Sequence, residues 1–218
     1  MTLMEKGKLT LSPIVSEQHR EERKNLILKA AKDVFIKKGF NATTIQDIIN
    51  HSGVSRGGVY TYFKNTEDVF IELLKKRDME DVWDLESIYR GGHTNWEALE
   101  FILDNVQENI LNQTDRLVPA IYEYYFTKGW ETKRHLPFLE ARVEQAWNGL
   151  AFILQKGIDE KEFTPSLPTE DIAKTILTFY DGIMLTNFQL GPEKLQLPNQ
   201  FHVFRVFLST CLFESKNK

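Results

Sequence analysis

The chain has 218 residues, 42% hydrophobic and 27% charged, the balance of a folded protein rather than of a disordered tail. Its single cysteine excludes an internal disulfide framework, and no apolar run approaches the roughly 18 residues of a membrane-spanning helix. The net charge of −4 conceals a split: residues 1–64 carry 11 Lys and Arg against 6 Asp and Glu, and residues 65–218 carry 16 against 25. A basic segment ahead of an acidic remainder is expected when one end of a protein meets phosphate. Glu5, Lys6, Lys8 and Pro13 break up the apolar residues of the N-terminus, so no signal peptide is expected and the cytoplasm is the expected compartment.

Residues 1–16 are mixed and aperiodic and read as a flexible arm. From residue 17 to 38 the pattern is helical, with Leu26, Ile27, Ala30, Ala31, Val34 and Phe35 in one apolar stripe. Lys37, Lys38 and Gly39 give that helix a C-terminal signal. Arg20, Arg23 and Lys24 on it read equally well as solvated cations or as neighbours of phosphate.

Residues 44–63 read as two short helices with a tight turn between them. Thr44 and Asp47 resemble a capping box, and Ile45, Ile48 and Ile49 make one apolar face. Gly53 ends the first helix and Ser55 caps the second, whose inward residues are Val54, Val59 and Phe63. This is the helix-turn-helix pattern, in which the second helix enters the DNA major groove. Gly57 and Gly58 inside that helix each cost about 1 kcal/mol relative to Ala. Bare backbone there allows close approach to a phosphate or a base edge, and Arg56, Tyr60, Thr61, Tyr62 and Lys64 surround it with donors. The predicted DNA-contacting set is Thr44, Gln46, Ser55, Arg56, Gly57, Gly58, Tyr60, Thr61, Tyr62, Lys64 and Thr66.

A long helix is predicted from Thr66, with Glu67 and Asp68 in its favourable first turn, running without Pro or Gly to Arg90. Shared between two domains, it would link them mechanically. Five further helices follow: one opened by a Thr94–Glu97 capping box, one around 117–126, one from Pro137, one from Thr169, and a last from Pro198. The last is apolar on nearly every side, from Phe201 to Phe213, and calls for burial all round. A homodimer interface built from the last two helices would supply that burial.

Catalytic signatures are missing: there is no nucleophile elbow, phosphate-binding loop or dinucleotide fingerprint. The five histidines are scattered, and Glu131 with His135 lacks a third ligand, so neither metal nor cofactor is expected. Trp83, Trp96, Tyr122, Tyr125, Phe126, Trp130, Trp147, Phe152, Phe179 and Tyr180 give the second half an aromatic load. Some of these are expected to border a cavity for a small apolar or aromatic effector, although any single aromatic is more often core.

Arg23, Ile27, Ala30, Ala31, Phe35, Gly39, Phe40, Thr43-Thr44-Ile45, Asp47-Ile48, Gly53-Val54-Ser55, Gly57, Tyr60, Tyr62-Phe63-Lys64 and Glu67 stand at spacings that resemble the TetR family of bacterial transcriptional regulators. The likeness covers about residues 21–81. It implies an all-α protein: a three-helix DNA-binding domain with a helix-turn-helix (17–81), joined by a long helix to a larger helical ligand-binding and dimerisation domain (82–218). It implies a repressor that binds a palindromic operator in double-stranded DNA as a homodimer and is released by a small molecule. Two positions depart from the pattern: Gly58 stands where Thr, Ser or Ala is usual, and Thr66 where Lys is common. The competing expectations are an all-helical ligand-binding protein or enzyme with a vestigial first domain, and a protein-interaction module.

Overall fold

The computed structural model describes residues 13–80, 89, 92–112, 115–129 and 137–213. Trp83, Trp130, the Glu131–His135 pair and the stretch predicted to carry the long helix through 81–88 lie outside the described residues. Regular structure among the described residues is entirely helical. The chain divides into two compact units, one reaching to Asp81 and including Leu117–Tyr124, the other formed by Val82–Arg116 and Tyr125–Lys218.

The first unit holds α1 (Pro13–Lys38), α2 (Ile45–Ser52), α3 (Arg56–Tyr60), α4 (Thr66–Glu80) and α6 (Val118–Tyr124). The first helix begins at Pro13, inside the span 1–16 read as an arm. Proline suits a first helical turn, where its fixed φ is helical and its missing N–H has no partner to lose. The stripe on α1 also shifts by one residue: Leu26 is 51% exposed and Leu28 is buried in its place. Ile27, Ala31, Phe35, Ile48, Val59, Phe70 and Leu74 are almost wholly buried and form the centre of the unit.

That centre is aromatic. Phe70 meets Phe35 at 4.7 Å and Phe40 at 4.8 Å between ring centroids, and Tyr124 from α6 closes the cluster at 4.8 Å from Phe40 and 5.2 Å from Phe70. Edge-on pairs at such separations add stabilisation beyond the area they bury. The Tyr124 hydroxyl donates to Glu67 Oε1 at 3.1 Å, so this buried ring keeps its polar end satisfied. Beside it, Gly39 adopts φ +76° after α1, and the Glu123 carboxylate occupies the space a side chain there would need. That carboxylate also accepts the Asn41 N–H at 3.1 Å. Residues 117–124 therefore pack with the three-helix unit, although sequence order assigns them to the second domain.

The second unit holds α5 (Asn95–Asn112), a π-helical turn Tyr125–Gly129, α7 (Pro137–Asp159), α8 (Thr169–Leu190), the single turn α9 (Pro192–Leu195) and α10 (Leu197–Leu212). The predicted box opens α5: Thr94 N–H donates to Glu97 Oε2 at 2.8 Å and Glu97 N–H to Thr94 Oγ1 at 3.1 Å. Glu162 then covers the same helix end, accepting the Asn95 and Trp96 N–H groups at 2.7 and 2.9 Å. Burial works to raise the Glu162 pKa, but these bonds outweigh it and hold the carboxyl below its ordinary range. Asn95, fully buried, also donates its amide to Glu160 and Glu162. The helix from Pro137 runs past Gly157 to Asp159, and the buried Phe163 ring lies against the bare Cα of Gly157. The loop beyond is tied to α10, with Thr164 N–H on Leu212 O at 2.8 Å.

Candidate nucleic-acid interface

The helix-turn-helix is built by its caps. Thr44 N–H donates to Asp47 Oδ2 at 2.9 Å and Asp47 N–H to Thr44 Oγ1 at 3.2 Å, the reciprocal pairing that starts α2. Lys38, at the end of α1, reaches the same carboxylate at 2.7 Å. The Lys38 ammonium, with the Thr44 hydrogen bonds, holds Asp47 far below the usual carboxylate range. Gly53 ends α2 at φ +66°, a left-handed conformation that costs glycine nothing. Ser52 Oγ accepts the Val54 N–H at 3.2 Å, and Ser55 Oγ then accepts the Gly58 N–H at 3.2 Å to start α3.

Val54, Val59 and Phe63 are buried, and they hold α3 with its other face outward. Thr44, Gln46, Ser55, Arg56, Gly57, Tyr60, Thr61 and Lys64 are exposed, while Gly58, Tyr62 and Thr66 are half-buried. The Arg56 guanidinium leans over the Tyr60 ring at 5.6 Å, an i,i+4 pairing that orders two long side chains on the open face. Several predicted donors already have internal bonds. Thr44 Oγ1 donates to Asp47 at 2.7 Å, Thr61 Oγ1 to Gly57 O at 2.9 Å, and Gln46 Nε2 to Asn50 Oδ1 at 2.8 Å. The outward charge at the turn and α3 comes from Arg56 and Lys64.

The two glycines differ. A Cβ on Gly57 would meet nothing within 4 Å, so its missing side chain leaves open surface. A Cβ on Gly58 would stand 2.8 Å from Val54 Cγ1, so a side chain there would press on the buried Val54. Of the two bare positions, Gly57 leaves open surface, and the space at Gly58 is taken by Val54, Ser55 and Arg23.

The residues expected to border an effector cavity are spread over separate places. Tyr122 is buried in the first unit, among residues 117–124. Trp96 packs edge-on against Phe213 at 5.4 Å, Phe179 stacks on Phe204 at 3.8 Å, and Trp147 faces the Lys174 ammonium at 5.2 Å. Tyr125 accepts a hydrogen bond from Arg142, whose guanidinium lies 5.9 Å from both the Tyr125 and Phe138 rings. Phe126 and Phe152 are exposed and Tyr180 is half-buried. Sequence reasoning missed Arg142 and the π-helical turn that presents Tyr125, because neither leaves a periodic trace.

A helix-turn-helix whose second helix is pinned by three buried apolar residues and presents arginine, glycine and tyrosine outward defines a DNA-binding regulator. Comparison with known proteins agrees along the chain. The domain described as "Bacterial regulatory proteins, tetR family" matches residues 27–73, and "Tetracyclin repressor-like, C-terminal domain" matches residues 98–198. The chain is 34% identical to the HTH-type transcriptional regulator YfiR of Bacillus subtilis, over 93% of this chain and 98% of that one. It is 40% identical to the HTH-type transcriptional regulator QacR of Staphylococcus aureus, over 85% and 96%. A TetR transcription regulator from Haloarcula marismortui shares the fold with a TM-score of 0.68 at 20% identity, over 88% and 99% of the two chains. The chain belongs to the TetR family of transcriptional regulators. No helix among the described residues is long and apolar enough to cross a membrane, and no group of three or more His, Cys, Asp or Glu among them could hold a metal ion.

Proposed function

We propose that the protein is a homodimeric repressor that binds a palindromic operator through α3 and leaves it when a small apolar or aromatic effector occupies the second unit. The observation that carries the DNA reading is the two-sidedness of α3, with Val59 buried and Arg56, Gly57 and Tyr60 exposed. In a dimer, two copies of α3 must stand about 34–36 Å apart to reach successive major grooves. Arg56, Tyr60 and Tyr62 read or brace the groove; Ser55, Gly57 and Thr61 lie against it; Thr44, Gln46, Lys64 and Thr66 hold the backbone.

The dimer forms through α8 and α10. In a single chain, Val203 is 65% exposed, and Val206 and Phe207 beside it are open as well. Phe201, Phe204 and Leu208 on the same helix face the core, so its second apolar face needs a second copy. The effector site lies among the aromatics of the second unit.

Selection of bound duplexes from a random pool with purified protein tests this reading. Recovery of an inverted repeat is expected, and an unenriched pool refutes sequence-specific binding. Arg56→Ala should then weaken the gel shift on the selected duplex while leaving the sedimentation coefficient of the dimer unchanged.

A further inference from the structure

Arg23 lies on α1, well before the helix-turn-helix in sequence, yet the fold brings its guanidinium to the start of α3. Arg23 Nη2 is 3.6 Å from the point where a Cβ on Gly58 would stand, and Ser55 Oγ is 3.1 Å from the same point. The basic group of α1 therefore lies beside the first turn of α3, at the one position there that is half-buried and has no side chain to offer.

Two other cations of α1 are committed elsewhere. Lys24 is paired with Glu72 at 2.5 Å and Lys38 with Asp47 at 2.7 Å. Glu22, next to Arg23 in sequence, turns to His19 at 3.8 Å. Arg23 is exposed, and among the described residues no carboxylate lies within ion-pairing distance of it. Lys24 is thus spent on Glu72, whereas the Arg23 guanidinium is unpaired among the described residues and lies beside α3. A guanidinium offers a planar fork that matches two phosphate oxygens, and such contacts set position without reading sequence.

We propose that Arg23 is a phosphate-contacting residue of the DNA interface, its guanidinium placed by α1 beside the side-chain-free first turn of α3. The proposal rests on the DNA-binding reading above. It assigns the positive charge around α3 to two helices: Arg56 from within α3 and Arg23 from the helix behind it.

The test is fluorescence anisotropy with the labelled duplex recovered by the random-pool selection, titrated at several salt concentrations from about 50 to 200 mM. Each phosphate contact contributes about 0.9 to the slope of log affinity against log salt, so losing one contact per protomer should flatten the dimer's slope by about 2. Arg23→Ala is expected to do this while keeping the ranking of mismatched duplexes. Arg23→Lys, which keeps the charge, should retain the slope, and Lys24→Ala should leave it unchanged. If Arg23→Ala melts at a lower temperature than the parent, Arg23→Gln, which keeps the stem, replaces it in the same titration. A parental slope in the neutral variant overturns the proposal and leaves DNA binding standing. A wild-type protein that binds no duplex overturns both.

Discussion

Gly57 and Gly58 are neighbours with opposite reasons to be glycine, and substitution separates them. Gly57 has ordinary helical φ and open space where a side chain would go, so alanine should stabilise the fold by about 0.5–1 kcal/mol through helix propensity alone. The same methyl group would stand on the surface proposed to meet DNA, so Gly57→Ala should also weaken duplex binding. A melting curve and a gel shift moving in opposite directions would show the separation; tighter binding alongside higher stability would contradict it. At Asp47 the chemistry is acid-sensitive. Its folded pKa is depressed, so its contribution is present above the unfolded value of about 3.9 and is lost as pH falls through the folded value. Thermal melts of the parent and Asp47→Asn should differ at neutral pH and converge under acid; a constant gap would show that Lys38 and Thr44 do not stabilise the ionised carboxylate.

Among the elements, α6 has the least expected placement. Its Tyr124 ring fills the space between Phe40 and Phe70, and its Glu123 carboxylate covers the α1–α2 turn at Gly39 and Asn41. Removing a buried aromatic of this kind costs about 3–5 kcal/mol. Tyr124→Ala should therefore lower the urea midpoint of the first unit and increase hydrogen exchange in the turn after α1. Tyr124→Phe, which keeps the ring and loses the bond to Glu67, should cost less, about 1.5 kcal/mol. Unchanged exchange at residues 39–43 in the alanine variant would mean that α6 does not brace this unit. The Thr44–Asp47 and Thr94–Glu97 boxes were legible as paired residue types three apart. The aromatic seat of Tyr124 was not, because nothing local to residues 117–124 names the helices they pack against.

For the whole molecule, the decisive feature is that α10 carries two apolar faces and a single chain covers one. If the proposed dimer forms through α10, Phe207→Glu should convert it to monomer in sedimentation while leaving the far-UV circular dichroism intact, since Phe207 is exposed. Dimer retention by that variant would move the interface off α10. Loss of the dimer should also abolish binding to a palindromic duplex, because the two α3 helices would no longer be held one groove apart.

The sequence alone determined what depends on neighbours along the chain. Caps at Thr44, Ser55 and Thr94, the left-handed stop at Gly53, the helical periods and the uneven charge all arise from residues within a few positions of one another. That was enough to specify the all-α class, the helix-turn-helix and the family. Tertiary structure decided what depends on residues far apart: Gly58 answers to Val54, Tyr124 completes the core of the first unit, Trp96, Trp147 and Phe179 meet separate partners, and Arg23 reaches α3. Packing brings these groups together across many positions, and periodicity in one helix carries no information about the partner it will meet.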